Sequence, residues 1–388
     1  MNTALWIFFA FFALQLLSSS SEDADTTNWN AIDCGNDEIS FGDNLFVWDV
    51  DADYTKSGSN ELVRTKTSRG EFNTLRAFPG KSKHNCYNVP IETQRIRYII
   101  SLGFYYGNYD GLFKPPAFDL FINNKKWTTV NTSKNDGEPF YEEIIYQNKG
   151  SVFFKICLVQ IKDGGVPIIN SIEMMNIYDE LYPKMDTNAT YNLVTRINLG
   201  GSEVRYGSFN DEIYNRIWSE GVTPYASVSG FSDFDPTPEN HPPIPVMDDG
   251  IEFNASSPIT LITDLPQLSP QSAYIVLYIS NLLSPYDANK TVTIKIEINN
   301  EDQGKVEMSS YYGKTTVVTK YPVMVSGPTI NITVSPDWLP SDDSSFPPTI
   351  AAMEVFTKWD SDKSAAARQY FSFACPMMMI LFMLFFGA

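Results

Sequence analysis

The feature that most restricts the fold is an order of strand-like segments that restarts partway along the chain. Arg196-Ile-Asn-Leu-Gly-Gly echoes Ala31-Ile-Asp-Cys-Gly, and Tyr214-Asn-Arg-Ile-Trp-Ser follows it much as Val47-Trp-Asp follows the first copy. Ala273 to Leu282 and then Thr291 to Asn300 match a strand, loop and second strand that run from Tyr98 to Asn124, and Thr349 to Thr357 matches Asn170-Ser-Ile-Glu-Met. The offset is roughly 165 residues, which fits two copies of one fold set side by side. Within the copies apolar residues recur at every second position. Ile96, Tyr98, Ile100 and Leu102 share one face of a strand and Arg95, Arg97 and Ser101 the other, and Phe118, Leu120 and Ile122 repeat the spacing. No convincing amphipathic helix interrupts them, and 14% aromatic residues with 24 prolines suit short strands and turns. The expectation is all-β: two tandem β-sandwich, jelly-roll-like lobes at 28–180 and 191–358, joined by a polar linker at 181–190. Phe231 to Pro245, with five prolines, reads as a long exposed loop.

Between the two strands of Tyr98–Asn124 lies a loop dense in tyrosine. Gly107 and Gly111 permit bends there, and Lys114-Pro115-Pro116 keeps the segment out of sheet pairing. The residues it would display are Tyr105, Tyr106, Asn108, Tyr109 and Asp110. Aromatic faces accept the C–H face of a sugar ring, and amide or carboxylate oxygens accept its hydroxyls, so these five form a candidate carbohydrate-binding set. The competing reading makes the tyrosines caps on the core of a sandwich.

Residues 1–21 contain an apolar run from Leu5 to Leu17 and small Ser18 to Ser21 before acidic Glu22 and Asp23, which predicts a secretory signal. Five Asn-x-Ser/Thr triplets, at Asn131, Asn188, Asn254, Asn289 and Asn331, fit passage through a glycosylating compartment. In that compartment two of Cys34, Cys86 and Cys157 should pair. Cys86 precedes the central strand and Cys157 lies in an apolar one, so this pair is preferred, leaving Cys34 a buried thiol; a link between two chains is the alternative. At the far end, 359–388 is a polar spacer and an apolar tail. Small Ser364, Ala365 and Ala366 followed by Met377 to Ala388 fit a lipid-anchor signal with attachment at Ser364. A retained membrane helix from Phe371 is the alternative, opposed by Pro376 and the lack of a basic cluster. Either way the expected place is the outer face of the plasma membrane, reached through the secretory route and held by the tail.

A formal net charge of −18 argues against nucleic acid as a partner. Asp49, Asp51 and Asp53 raise the question of calcium, but no Gly and distal Glu complete a calcium loop, and on a strand the three would share a solvated face. The two histidines, His84 and His241, lie in loops with no nucleophile signature nearby. Neither catalysis nor a cofactor is expected.

Taken in order, Ile32-Asp-Cys-Gly, Trp48 to Gly58, Leu75-Arg-Ala-Phe-Pro, Asn85-Cys-Tyr, Tyr106-Gly-Asn-Tyr-Asp-Gly, Pro116-Ala-Phe-Asp-Leu, Trp127, Glu143-Ile-Ile, Ile156-Cys-Leu-Val and Ile172-Glu-Met resemble the malectin-like ectodomains of plant receptor-like kinases. Tyr214-Asn-Arg-Ile-Trp, Tyr274 to Leu282 and Met353-Glu-Val-Phe-Thr extend the resemblance through the second half, from about Trp29 to Lys358. The resemblance implies two packed β-sandwich lobes in an extracellular glycoprotein that senses cell-wall oligosaccharide or peptide signals. The namesake protein grips a glucose disaccharide with aromatics and an aspartate in end loops, and the nearest positional counterparts here are Asn108 and Tyr109. Many plant relatives have given that pocket over to peptide or protein contacts. Relatives of this type continue into leucine-rich repeats, a membrane span and a kinase, which this sequence does not show. The expected role is therefore a surface-held, non-catalytic module that binds cell-wall carbohydrate, with a protein- or peptide-interaction module acting as co-receptor or decoy for a receptor-like kinase as the alternative.

Overall fold

The computed structural model describes residues 29–360 apart from 43–46, 81–84, 93–96, 179, 206–213, 234–236, 253–256, 283–290, 310 and 338–348. The leader, the C-terminal tail with Ser364, His84, Asn254 and Asn289 therefore lie outside the described residues. The described chain is nearly all strand, and none of its helices is long and apolar enough to cross a membrane.

Two lobes are built on one plan. In the first, Trp29–Asp33 runs parallel to Val47–Val50 and antiparallel to Ser171–Asn176, which in turn pairs with Arg97–Phe104, and that with Phe140–Gln147. In the second, Tyr191–Leu199 runs parallel to Ser219–Gly221 and antiparallel to Thr349–Lys358, which pairs with Gln271–Ser280, and that with Thr315–Val325. The repeat noticed in the sequence is thus a repeat of strand pairing: Ile32 pairs across to Asp49 and Ile197 to Ser219. Each lobe closes its sandwich with a four-stranded sheet. In spatial order these are Asn85–Pro90, Phe153–Gln160, Ala117–Ile122 and Lys125–Asn131 in the first lobe, and Ile259–Asp264, Thr329–Pro336, Thr291–Ile298 and Glu301–Ser309 in the second. Cys86 and Cys157 stand directly opposite on neighbouring strands and form a disulfide, while Cys34 is a buried free thiol.

The alternating residues do fill the sandwiches, with Tyr98, Ile100, Leu102 and Phe104 in the first core and Ile275, Leu277 and Ile279 in the second. The other face departs from expectation. Arg97 and Ser101, on the polar face of the strand, are only 1% and 2% exposed, and the whole Arg97–Phe104 strand is buried. The cause is a third core on the outer side of the large sheet. Ile99, Ile145 and Met175 from the first lobe meet Tyr191, Trp218, Tyr274, Tyr278 and Phe356 from the second. Leu181, Tyr182 and Met185, in the segment expected to be a polar linker, are buried there as well. Part of the stretch expected as an exposed proline loop, Asn240 to Pro243, packs down, while Phe231 is exposed as expected. Asn240 is fully buried, and its Oδ1 accepts the Tyr182 N–H at 3.1 Å while its carbonyl accepts from Arg216 at 2.9 Å.

Polar residues on that covered face are satisfied by one another. Arg196 donates through Nε to Glu354 at 2.6 Å and through both Nη atoms to Glu143 at 3.0 and 2.8 Å. Glu354 also accepts from Tyr182 and Tyr278, and Glu143 from Ser101. Farther along the row, Arg205 grips both oxygens of Glu173 at 2.7 and 2.8 Å and reaches Glu71 at 2.8 Å, tying the second lobe to the first. Burial, the largest single influence on Arg196, pulls its pKa down, but Glu143, Tyr182 and Glu354 together outweigh it and hold the group well above its ordinary value.

Removing one member of such a buried set leaves the others charged and unpaired. Arg196→Met should therefore cost about 3–5 kcal/mol of stability, read as a lowered urea midpoint, with Glu354→Gln costing less because the amide still accepts hydrogen bonds.

Candidate functional site

The tyrosine-rich loop connects strands that do not pair. Arg97–Phe104 belongs to the large sheet and Ala117–Ile122 to the small one, so the loop crosses the end of the sandwich. Its first residues face inward: Tyr105 and Tyr106 are buried, with the Tyr105 N–H on Asn170 Oδ1 at 2.6 Å and its hydroxyl on the Thr65 carbonyl at 3.0 Å. Gly107 has a left-handed φ of 48°, and a Cβ there would meet the Val63 side chain at 2.5 Å, so the close turn requires glycine.

The polar residues of the candidate set serve the loop itself. Asn108 Oδ1 accepts the Phe113 N–H and Asp110 Oδ1 the Leu112 N–H, both at 3.0 Å. The Tyr106 hydroxyl donates to the Asp110 carboxylate, contacts Asn108 Oδ1 at 3.3 Å and accepts the Lys114 N–H at 3.2 Å. Tyr109 stands edge-on to Tyr106, ring centroids 5.8 Å apart, and its carbonyl accepts from Arg64 Nε at 3.1 Å. Burial, then the neighbouring Asp110 carboxylate, raises the Tyr109 pKa to about 12. The structure therefore gathers the five residues in one place, with Tyr105 and Tyr106 buried and acceptor oxygens of Asn108 and Asp110 bonded within the loop. What the loop presents outward is Leu112 and Phe113, 71% and 83% exposed, and Phe113 is held at a φ of 52°, a strained conformation for a bulky side chain. Sequence reasoning passed over both, because a single exposed apolar residue carries no pattern.

Grooves are found elsewhere, along the seam between the lobes. A groove of 630 Å³ opens at the seam, lined by Asn123, Lys125, Tyr146, Gln147 and Lys149 of the first lobe, Asn188 and Thr190 of the connection, Gln267, Gln271 and Met324 of the second lobe, and finally Lys358 and Trp359. A smaller hollow beside it, 310 Å³, shares Gln267 and includes Trp127, whose Nε1–H bonds Asn192 Oδ1 across the seam at 2.8 Å.

The three aspartates diverge. Asp51 is fully buried, where it accepts from Arg76 Nε at 2.6 Å and the Tyr87 hydroxyl at 2.8 Å. Asp49 accepts the Tyr54 hydroxyl at 3.1 Å, and Asp53 is exposed. Asp51 thus neutralises a guanidinium inside the protein, and a shared solvated face does not form. No cluster of His, Cys, Asp and Glu that could hold a metal occurs among the described residues. The ring of His241 lies against Tyr214, centroids 6.1 Å apart. Of the described triplets, Asn131 and Asn188 are exposed, and Asn331 is half-buried in mid-strand.

With this geometry in hand, comparison with known proteins is informative. The family model described as Malectin-like domain matches residues 32–358. A putative leucine-rich repeat receptor-like serine/threonine-protein kinase of Arabidopsis thaliana is 29% identical over 325 residues, an overlap of 79% of this chain and 34% of that protein. The chain thus spans about a third of the length of this curated relative. The crystal structure of the ANX2 ectodomain from Arabidopsis thaliana superposes with a TM-score of 0.69 at 16% identity, covering 86% of this chain and 97% of that one. A crystal structure of the plant peptide RALF23 in complex with FER and LLG2 contains a chain that matches with a TM-score of 0.67 at 16% identity, over 86% of this chain and 96% of that one.

Two outcomes follow from the loop geometry. Tyr106→Phe removes the hydroxyl that gathers three partners, and should cost about 1–3 kcal/mol and accelerate chymotryptic cleavage after Phe113. Tyr54 and Tyr109, both raised from 10.0 to about 12, keep their protons in the folded state while the unfolded chain loses them. Stability from these groups is therefore present below pH 10 and lost toward pH 12, seen as a falling urea midpoint across that window.

Proposed function

We propose a binding function from one premise: the chain belongs to the malectin-like family, whose model spans most of its length. The protein is, on this reading, a non-catalytic module of the plant cell surface that takes a peptide or the surface of another protein, with a receptor-like kinase as the natural companion. The observation that carries it is the use made of the tyrosine loop. The Tyr106 hydroxyl, Asn108 Oδ1 and Asp110 Oδ1 each accept a main-chain N–H of the loop, and the product is a braced loop bearing exposed Leu112 and Phe113. An apolar pair held rigidly in solvent loses little entropy when a partner covers it, which is the usual make-up of an interface anchor. The relative crystallised with a peptide is consistent with this ligand class. Outer-leaflet placement, with a lipid anchor at Ser364, and glycosylation at the Asn-x-Ser/Thr sites belong to the same proposal.

A cell-wall oligosaccharide is the second reading, favoured by the partly exposed ring of Tyr109 at the loop margin. The two are separated by screening the secreted protein against a glycan array and against peptides and ectodomains of receptor-like kinases. On the primary reading, Leu112→Ser with Phe113→Ser weakens a peptide or protein ligand about 30-fold, roughly 2 kcal/mol, while Tyr109→Ala changes it little. Glycan binding lost in Tyr109→Ala and unchanged in the double variant would reverse the assignment.

A further inference from the structure

The seam groove carries an attachment point on its own rim. Asn188 is exposed, lines the groove, and opens the triplet Asn188-Ala189-Thr190. Resting on the glycosylation proposed above, we propose that the N-linked glycan of Asn188 places its first sugars in this groove, so that the space between the lobes is filled by a covalently attached saccharide and not by a ligand from solution.

The groove has the size and lining for this. Its 630 Å³ falls within the about 300–1,000 Å³ usual for small-ligand sites. Trp359 contributes a half-buried aromatic ring, with Tyr146 beside it at a centroid distance of 6.2 Å, and Asn123 and Gln271 contribute amides suited to hydroxyl and acetamido groups. Two polar atoms of residues lining the groove, Gln147 Oε1 and Trp359 Nε1, are buried without a hydrogen-bond partner, an acceptor and a donor. Attachment supplies what a free saccharide lacks, because a sugar bonded to Asn188 is already at the site and forfeits little translational freedom on docking.

The same contacts fix when the modification happens. Thr190 Oγ1 accepts the Gln147 N–H at 3.0 Å and its carbonyl accepts the Trp359 N–H at 2.8 Å, while Ala189 is buried. In the folded chain the hydroxyl that a transferase must read is engaged, so transfer precedes closure of the seam. In that step Asn188 Nδ2 bonds to C1 of the reducing-end N-acetylglucosamine of a lipid diphosphate oligosaccharide. The C1–O bond breaks, the lipid diphosphate leaves with the electron pair, and the amide nitrogen gives up one proton.

The experiment uses the full chain secreted from a eukaryotic host, with glycopeptide mass spectrometry and native-state endoglycosidase time courses at Asn188 and at Asn131, which is also exposed. The expected result is that Asn188 is occupied and its glycan is released about tenfold more slowly than that at Asn131, because release waits on local opening. Trp359→Ala should bring the Asn188 rate up to that of Asn131 without altering the latter. An unmodified Asn188, or equal release at the two sites in the unaltered protein, would overturn the proposal. So would binding of free N,N′-diacetylchitobiose to the glycosylated protein with a fluorescence change abolished by Trp359→Ala, since the groove would then be open to saccharide from solution.

Discussion

A guanidinium sealed from water between two carboxylates of different lobes sets the terms for the rest of this structure. Arg196, Glu143 and Glu354 sit on three adjacent strands, Tyr191–Leu199 flanked by Phe140–Gln147 and Thr349–Lys358, and the side chains of Arg196 and Glu354 are fully buried. Among the described residues the backbone ladder between the lobes is short, pairing Ile144 with Asn192 and Ile145 with Tyr191. A ladder of that length specifies register weakly, and a slip by one residue would part Arg196 from Glu143 and leave both charges buried and unpaired. The large penalty for an unpaired buried charge therefore supplies the register that two backbone pairs cannot. The rings of Trp218 and Phe356, 5.7 and 5.8 Å from the guanidinium, add cation–π attraction without offering competing hydrogen bonds.

Once the register is fixed, the seam extends to the loop through packed rings. Arg205, held by Glu71 and Glu173, lies 5.1 Å over the Tyr141 ring; Tyr141 packs edge-on against Phe72, and Phe72 against Tyr105 at the base of the tyrosine loop. Each contact joins residues far apart in the chain. The loop is thus anchored at its root to the lobe interface, and its outward residues inherit the rigidity of a body made of both lobes.

The sequence revealed the plan of the fold and concealed its burial, for one physical reason. Period-two alternation reports that a strand has two different faces, and a polar face is ordinarily a solvated one. Here Arg97, Ser101, Glu143 and Glu173 occupy the second face and look solvated, while distant segments supply partners in the interior: the Leu181 carbonyl for Arg97, Arg196 for Glu143 and Arg205 for Glu173, with Ser101 bonded to Glu143. Nothing local announces such partners, and the same holds for Asp51, which meets Arg76 across 25 residues. The repeat, by contrast, was legible because Ile32 and Ile197, and Trp48 and Trp218, keep equivalent buried or paired positions whatever the surroundings. The third core and the packed connection at Leu181 and Tyr182 arise only when the two copies meet, so neither copy's pattern contains them.

The loop shows why residue types that suit a sugar need not hold one. Asn, Asp and Tyr offer acceptors, and a saccharide hydroxyl competes for them with any main-chain N–H in reach. Pro115 and Pro116 lack N–H groups and exclude strand pairing over the stretch before Ala117, so the N–H groups of Leu112, Phe113 and Lys114 have no sheet partner. Asn108, Asp110 and Tyr106 lie within a few residues of them and take those hydrogen bonds at 3.0 to 3.2 Å. An acceptor already attached to the same chain outcompetes one that must bind from solution, and the bonds it makes hold Phe113 in a conformation the free chain would seldom adopt. Backbone self-satisfaction thus converts these acceptors into the support for an apolar, outward-facing pair, Leu112 and Phe113.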